Sequence, residues 1–378
     1  MKFMHLSDLH LGRRFGEFSL IEDQKYILGQ ITTMAEAENP DAVIIAGDIY
    51  DKSVPTVEAV QLFDDFLCAI ATLDIKVFVI SGNHDSAERI AFGARLMDRR
   101  GVHLSQVYGG LVEPITLQDA FGPVDVYLLP FLRPLSVRRF FPDIEIDSYH
   151  QALAQVAGSI KIDESRRNLL VTHQFVTGAL LSESEDITVG TADNVDAAVF
   201  DAFDYVALGH IHRPQSVGRE TVRYCGTPLK YSFSEARQKK SVTTVEFCAK
   251  GDVRIKTLPL VPLRDVREVR GTFADLTART YYQSTDASDY LHITLTDEED
   301  VMDAIGKLRV VYPNVVLLDY DNIRTRSSQV LMAASQVEKS TPVQLFGDFY
   351  EKQNGQPMTQ EQYDYVSGLI AEIWGDRK

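Results

Sequence analysis

Apolar stretches that end abruptly in polar side chains recur through the first hundred residues. Residues 3–6, 42–46 and 77–80 are short apolar runs of the kind that form strands covered on both faces. Each run leads into a polar loop and then into helical periodicity, over residues 19–38, 57–73 and 86–100. Three strand–loop–helix units in a row predict an α/β sheet with helices on both faces.

The later pattern divides the chain further. Strands are predicted at residues 124–129, 168–172 and 205–208, and two alternating segments between 241 and 260 predict antiparallel strands that close a first domain over 1–260. Strands at 290–295 and 315–320 and a helix at 298–310 predict a small α+β unit over 261–322. Residues 323–340 predict a linker, and residues 341–378 predict two short amphipathic helices, near 342–350 and at 358–374.

Polar groups with metal-binding chemistry follow five of these strands. They are Asp8 with His10, Asp48, the run Asn83-His84-Asp85, His173, and His210 with His212. Taken singly, each group is explained as well by a loop cap or a partly buried core residue. Because the carboxyl ends of the strands in an open α/β sheet meet at one edge, we expect all five groups to converge there.

This set is too large for one tetrahedral ion and fits two divalent ions. The predicted ligands are Asp8, His10, Asp48, Asn83, His173, His210 and His212. Asp48, in the middle of the order, is predicted to bridge ions roughly 3.5–4 Å apart, which would clamp the attacking and leaving oxygens of a phosphoryl displacement. Imidazole, carboxylate and amide ligands without thiolate favour manganese, iron or zinc over calcium, and manganese is the first choice.

His84 follows a predicted ligand directly and is not needed to complete either set. We interpret it as a general acid that protonates or steadies the leaving oxygen, with Asp85 orienting its ring. The alternative is a turn residue that hydrogen-bonds Asp85.

Composition restricts the class of protein. The 378 residues include 38 Lys and Arg against 54 Asp and Glu, a net charge of −16. This balance argues against a simple basic sleeve for nucleic acid, although bound divalent cations would reverse the field at an acidic site. Three isolated cysteines favour a reducing compartment. Without a secretory signal or an apolar run of roughly 20 residues, a cytoplasmic protein is expected.

The five groups, in this order, resemble the motifs of the calcineurin-like metallophosphoesterases. More narrowly, residues 5–12 (HLSDLHLG) and 224–235 (YCGTPLKYSFSE) are similar to the double-strand-break-repair nucleases of that superfamily, over essentially the whole chain. The resemblance implies a two-sheet α/β sandwich flanked by helices, a small α+β capping domain that helps to place DNA, and C-terminal helices. Archaeal and eukaryotic relatives carry a second histidine three residues after the bridging aspartate, where this chain has Asp51.

The resemblance also implies a metal-dependent DNA nuclease, an exonuclease on double-stranded ends and an endonuclease on single strands and hairpins, acting in DNA repair, recombination and replication. Its partner would be an SMC-type ATPase, bound through the helices of residues 341–378, and the nuclease would form a homodimer within a heterotetramer. The sequence has no Gly-x-x-x-x-Gly-Lys-Ser/Thr loop, so ATP use would belong to the partner.

Contacts to DNA phosphates and two other functions stay open. Eight arginines are candidates for phosphate contacts, with a solvated face as the alternative: Arg13, Arg14, Arg133, Arg138, Arg139, Arg264, Arg267 and Arg270. A generic metallophosphatase or cyclic-nucleotide phosphodiesterase would share the metal ligands without needing the C-terminal helices. An inactive scaffold of the same fold would be expected to have lost ligands, whereas all seven positions are filled here.

Overall fold

The computed structural model describes residues 1–185, 194–323, 325, 343, 346–347, 350–351 and 357–374. Most of the predicted linker at 323–340 and of the helix predicted near 342–350 lies outside these residues. The chain divides into two compact units. Unit 1 comprises Met1–Asp186, Asn194–Arg267 and Ser288–Tyr290, and unit 2 comprises the remainder.

Unit 1 is built on two six-stranded sheets. Its strands, in chain order, are β1 (Lys2–Leu6), β2 (Arg14–Phe15), β3 (Phe18–Ser19), β4 (Ala42–Ala46), β5 (Lys76–Ile80), β6 (Val102–Leu104), β7 (Ile115–Asp119), β8 (Gly122–Leu129), β9 (Arg167–His173), β10 (Tyr205–Gly209), β11 (Gln215–Val217), β12 (Arg219–Tyr224), β13 (Ser241–Phe247) and β14 (Val253–Pro259). The first sheet has the order β14-β13-β1-β4-β5-β6 and the second β11-β12-β10-β9-β8-β7, while β2 and β3 pair separately. Strands β1, β4 and β5 are parallel to one another, as are β8, β9 and β10.

The helices of unit 1 follow the predicted order with one correction. They are α1 (Ile21–Glu38), α2 (Val57–Thr72), α3 (Ala87–Ile90), α4 (Ala94–Met97), α5 (Pro134–Arg138) and α6 (Tyr149–Ser159). The prediction of a single helix over 86–100 is wrong. Gly93 adopts a left-handed conformation with φ of 75°, so the segment breaks into α3, α4 and a 3-10 turn at Asp98–Arg100.

The two sheets pack face to face around one core. Alternate residues of β4 and β5 meet alternate residues of β8, β9 and β10; the buried members of this core include Ala42, Ile44, Phe78, Ile80, Val124, Val126, Leu169, Val171, Tyr205 and Ala207. The residues between them, such as Val43 and Val79, are also fully buried, because helices such as α2 pack against the first sheet. The two-sheet sandwich implied by the resemblance is therefore confirmed, and the expectation of helices on both faces of this sheet is wrong.

A buried arginine ties the two sheets together at the end where β9 begins. The guanidinium of Arg167 donates to both carboxylate oxygens of Asp119 in β7 and to the carbonyls of Gly122 and Cys248. Arg167 is only 2% exposed, and its charge holds the pKa of Asp119 well below the usual range of a carboxyl. This network fixes one end of the sandwich, and the candidate site lies at the other end of the same strand.

Unit 2 holds most of a three-stranded sheet, in the order β15 (Val266–Gly271), β16 (Tyr290–Leu295) and β17 (Val315–Tyr320). Its helices are α7 (Phe273–Thr277), α8 (Arg279–Tyr282), α9 (Ala304–Val311) and α10 (Gln360–Trp374). Leu291 and Ile293 pack with Leu308 and Tyr312 in a separate small core. Among the helices that the structure describes, none is both long and apolar enough to cross a bilayer.

Candidate metal centre

All seven predicted ligands lie together at one end of the sandwich. Both sheets contribute: Asp8 and His10 follow β1, Asp48 follows β4, Asn83 follows β5, His173 ends β9, and His210 and His212 follow β10. Six of these ligands, together with His84, form three overlapping groups, each with all ligand atoms within 4.8 Å of one another: Asp8, His10 and His212; His10, Asp48 and His84; and Asp48, His173 and His210. Convergence of the five strand ends therefore occurs as the sequence predicts.

Asp48 lies between the two halves of this cluster. Its Oδ2 is 3.3 Å from Nε2 of His173 on one side and 3.7 Å from Nε2 of His10 on the other. Its Oδ1 accepts the backbone N–H of His84 at 2.9 Å, which fixes the plane of the carboxylate. One oxygen of Asp48 thus faces both groups, as a bridging ligand requires.

The two histidines of the His210-x-His212 pair serve different halves of the cluster. Nδ1 of His210 lies 3.3 Å from Nε2 of His173. Nε2 of His212 lies 3.1 Å from Nε2 of His10. Asn83 joins the first half, because its Oδ1 is 2.9 Å from the same two nitrogens of His173 and His210.

This donor set fits divalent metal ions. Two pairs of imidazole nitrogens face each other at little more than 3 Å, with carboxylate and amide oxygens beside them. Opposed nitrogen atoms in a buried site are stabilised by a cation between them, and imidazole with carboxylate is a ligand combination that zinc, iron and manganese accept. The cluster has no sulfur ligand among the described residues.

The backbone at the site is strained. Four of the ligand residues have positive φ, namely Asp8 at 53°, His10 at 44°, Asp48 at 50° and His210 at 103°. Side chains rarely tolerate this conformation, and such residues cluster at functional sites where the surrounding structure enforces them. This backbone conformation directs the side chains of these loop residues into one small volume.

Hydrogen bonds to the second ring nitrogen fix two of the histidines. Nδ1 of His173 lies 2.8 Å from the carbonyl oxygen of Ala46, which can only accept, so Nδ1 carries the proton and Nε2 faces the cluster. Nδ1 of His212 lies 2.6 Å from the hydroxyl of Ser184. That hydroxyl donates to Glu235, so its oxygen accepts from His212.

Glu235 and Lys240, both buried, complete a chain of polar side chains behind His212. Oε2 of Glu235 is 2.5 Å from Nζ of Lys240, which also donates to the carbonyl of His212. Sequence reasoning did not assign roles to Glu235, Lys240 or Ser184. Glu235 ends the family motif at residues 224–235, and the pattern Ser232-x-x-Glu235 within it is that of an ordinary helix cap.

Burial and mutual charge set the protonation of the cluster. Burial raises the pKa of Asp8 to about 7 and lowers that of His210 to about 3. Burial acts on Asp48 and His173 too, but their mutual attraction outweighs it: the pKa of Asp48 falls well below its usual value and that of His173 rises to about 9. Without metal, His173 therefore carries a proton that a bound cation must displace.

The structure places Asp85 differently from the expectation that it orients the ring of His84. Both of its carboxylate oxygens accept backbone amides, from Ile49, Tyr50 and Gly82. Nδ1 of His84 instead lies 3.0 Å from the carbonyl oxygen of Asp51. Asp85 thus joins the loops after β4 and β5, because a carboxylate that accepts three amides holds both turns in place.

The comparisons with known proteins agree with this geometry. A family model described as calcineurin-like phosphoesterase matches residues 1–214, and one described as type 5 capsule protein repressor C-terminal domain (SbcD_C) matches residues 262–354. A Staphylococcus epidermidis protein, named as the SbcD component of the nuclease SbcCD, is 32% identical over 99% of both chains. The chain belongs to the calcineurin-like phosphoesterases, among the SbcD nucleases. A Staphylococcus saprophyticus protein of the same name is 33% identical over 99% of this chain and 98% of its own.

Family membership confirms the resemblance read from the motifs, and with it the class of enzyme, a metal-dependent hydrolase with nuclease relatives. A solved dimetal phosphatase from Danio rerio aligns with 69% of this chain and 96% of its own, at 12% identity and a TM-score of 0.43. That likeness is too distant to add to the assignment.

Proposed function

We propose that this chain is a two-metal DNA nuclease whose ions are held by the seven predicted ligands. One ion would be bound by Asp8, His10 and His212 and the other by Asn83, His173 and His210, with Asp48 shared. The observation that carries the proposal is the position of Asp48 Oδ2, within 3.7 Å of histidine nitrogens from both groups. We propose manganese as the native metal, since the donors are imidazole, carboxylate and amide.

Bound divalent ions would supply charge for the scissile phosphate and hold its attacking and leaving oxygens in line. The chain's own contribution is to fix the ligands before substrate arrives. Asp48 is oriented by the amide of His84, and His173 and His212 are each oriented through Nδ1. Such preorganisation lowers the reorganisation that the reaction needs.

His84 is proposed to act as a general acid that protonates or steadies the leaving oxygen. Its Nδ1 is held by the carbonyl of Asp51, which leaves Nε2 directed toward the cluster, 3.9 Å from Oδ2 of Asp48. Asp51 thereby supports the catalytic histidine through its backbone, at the position where archaeal and eukaryotic relatives carry a second histidine. Its side chain pairs with Arg13 at 3.2 Å.

The proposed substrates are double-stranded ends, single strands and hairpins of DNA, cut in repair, recombination and replication in the cytoplasm. The proposed partner is an SbcC-like SMC-type ATPase, and the proposed assembly is a heterotetramer with a homodimer of this chain. The relatives' name, which makes them one component of the nuclease SbcCD, supports the partner proposal.

Cleavage assays with and without added manganese test the function. We expect hydrolysis of linear and hairpin DNA and of bis-p-nitrophenyl phosphate, all abolished by a chelator and restored by manganese. Metal-loaded protein that hydrolyses the small diester but cuts no DNA, even with its ATPase partner, would favour a generic phosphodiesterase. Loss of every activity despite bound metal would favour the scaffold.

His84→Ala tests the role of His84 as a general acid. We expect it to keep both ions, measured by elemental analysis, and to lower DNA cleavage by roughly 10²–10⁴-fold. His150→Ala, outside the cluster and paired with the backbone of Asp196, is the control and should cut as the wild type does. A His84 variant that loses metal would show that the residue is a ligand instead.

A further inference from the structure

A cavity of about 510 Å³ adjoins the metal centre within unit 1. Asn83 and His84 line it, as do Phe131, Arg133 and Ser136 of the segment after β8. Its volume lies within the roughly 300–1,000 Å³ typical of small-ligand sites. Asn83 and His84 belong both to the lining of the cavity and to the metal centre. A ligand in the cavity would therefore lie next to a group held at the metals.

The cavity contains the one candidate arginine whose guanidinium has no acceptor among the described residues. Seven of the eight candidate arginines are engaged by carboxylates or carbonyls of the chain: Arg13 by Asp51, Arg14 by Glu17, Arg138 by Asp147, Arg139 by Tyr108, Arg264 by Glu22 and Asp23, Arg267 by Asp289, and Arg270 by Asp321. Arg133 is exposed and lines the cavity. It is therefore the arginine best placed to bind an anion beside the metals.

An aromatic ring links this arginine to the metal ligands. Phe131 is half-buried and stacks on the ring of His210, with centroids 6.4 Å apart and an interplanar angle of 21°. Its backbone N–H donates to the carbonyl of Ser81 at 2.9 Å, which holds the segment against the end of β5. A fixed aromatic ring at a phosphate-binding site is a suitable platform for a nucleobase.

A buried hydrogen-bond donor also lines the cavity. Tyr108 lines the cavity and is 6% exposed, and its hydroxyl has no hydrogen-bond partner among the described residues. Burial raises the pKa of this hydroxyl, so it keeps its proton. An unmatched buried donor is destabilising by about 1–3 kcal/mol unless a ligand or water accepts from it.

We propose that this cavity binds the nucleotide next to the scissile phosphate on the side of His84, with Arg133 contacting its phosphate and Phe131 stacking on its base. The proposal rests on the nuclease function proposed above and adds the position of the flanking nucleotide. It also follows that substrates without a flanking nucleotide gain nothing from Arg133.

Steady-state kinetics on the full-length, manganese-loaded protein test this subsite. The substrates are a short single-stranded oligonucleotide and bis-p-nitrophenyl phosphate, which has no flanking nucleotide. We expect Arg133→Ala to lower kcat/KM for the oligonucleotide at least tenfold more than for the small diester, mainly through KM. Loss of one phosphate contact should also reduce the slope of log KM against log salt concentration by about 0.7.

The matched control is Arg254→Ala, an exposed arginine of β14 that pairs with Asp252. We expect it to behave as the wild type on both substrates, and we expect Arg133→Lys to recover part of the oligonucleotide activity. The subsite proposal is overturned if Arg133→Ala has the same kinetics as Arg254→Ala, or if it lowers kcat/KM for both substrates equally. A wild type that cuts no oligonucleotide at all would instead overturn the nuclease proposal.

The base-stacking role has a separate readout. We expect Phe131→Leu to weaken the binding of an oligonucleotide that has an intact base at the flanking position, since stacking contributes about 1–3 kcal/mol per base. The effect on the binding of an oligonucleotide with an abasic site at that position should be several-fold smaller. Equal effects on the two oligonucleotides would remove Phe131 from the proposal.

Discussion

Behind His212, a chain of polar side chains fixes a proposed metal ligand without touching the reacting groups. Ser184 accepts from the imidazole and donates to Glu235, and Glu235 is neutralised by Lys240. Hydrogen bonds of this kind raise the basicity of a ligand and hold its ring in one orientation. Glu235 is thus a positioning residue, separated from the metal centre by two side chains.

Glu235→Gln is expected to weaken metal binding and stability together. The uncharged amide leaves Lys240 buried without its counter-ion, which destabilises a fold by about 3–5 kcal/mol, and it loosens His212, which lowers metal affinity roughly 10–100-fold. Calorimetric titration with manganese and thermal unfolding would measure the two effects. Glu220→Gln, at an exposed position of β12, is the control and should change neither.

A double variant separates positioning from stability. Glu235→Gln with Lys240→Met removes both charges, so we expect stability to recover in part while metal affinity stays low. If affinity returns with stability, Glu235 acts only through the fold and the positioning role is wrong.

At the scale of residues, the sequence predicts the metal ligands but does not indicate which side chains hold those ligands in place. Asp8, His10 and Asp48 could be found because side chains with metal-binding chemistry stand directly after apolar strands. Glu235 and Ser184 could not, because they reach His212 from loops far away in the chain. The role predicted for Asp85 stays a prediction, and nothing in the run Asn83-His84-Asp85 shows that three backbone amides bond to its carboxylate.

At the scale of elements, the site depends on how closely the two sheets approach at their strand ends. Gly47, Gly82 and Gly209 lie where the backbone passes very close to a predicted ligand residue, either His173 or Asp48. A Cβ at Gly82 would lie 2.1 Å from Oδ1 of Asp48, and one at Gly209 would lie 1.9 Å from the carbonyl oxygen of Ala46. These three positions have no room for any side chain.

Gly209→Ala is expected to separate the sheets locally. The added methyl would meet the carbonyl of Ala46 and Nδ1 of His173, at 2.6 Å, and so displace the hydrogen bond between them. We expect loss of roughly 2–4 kcal/mol of unfolding free energy and weaker metal binding, measured by chemical denaturation and metal titration. A variant with wild-type stability and affinity would contradict the close approach.

Gly29→Ala is the matched control. Gly29 lies inside α1, and a Cβ there would meet nothing within 4 Å. Because alanine is the better helix former, we expect this variant to gain about 0.5–1 kcal/mol.

Elements were predictable where they are apolar throughout, as in β4 and β5. The edge strands β7 and β11 were missed because they contain few apolar residues, and the sandwich itself was implied only by the family resemblance. A strand covered by helices and a strand covered by a second sheet have the same apolar pattern, so this pattern does not tell the two arrangements apart. The helix predicted over 86–100 failed because one left-handed glycine outweighs a favourable pattern.

At the scale of the whole molecule, the proposed division of labour places catalysis in the first part of the chain and partner binding in the last. The domain boundaries proposed at 260 and 322 stay predictions, whereas the compact units divide after Arg267. Helix α10 carries the exposed apolar side chains of Tyr365, at 68%, and Leu369, at 39%. Such a helix face suits a hydrophobic groove on another protein.

A chain that ends at Ser340 tests this division. We expect it to cleave the small diester with manganese as the full chain does and to lose co-purification with the ATPase. Within the full chain, Tyr365→Ala should weaken that association and Glu361→Ala, on the same helix, should not. Retained co-purification of the shortened chain would place the partner site elsewhere.

The position of β1 in the middle of its sheet has a consequence during synthesis on the ribosome. Phe3 pairs with Ala42 on one side and with Val245 on the other, so the strand that leads into Asp8 and His10 waits for its second neighbour, which is made some 200 residues after the first. At about 5–20 residues per second, that delay lasts roughly 10–40 s. Throughout this interval one edge of β1 has no partner strand, and for most of it His210 and His212 have not been made. The nascent nuclease therefore stays inactive until most of unit 1 has been translated.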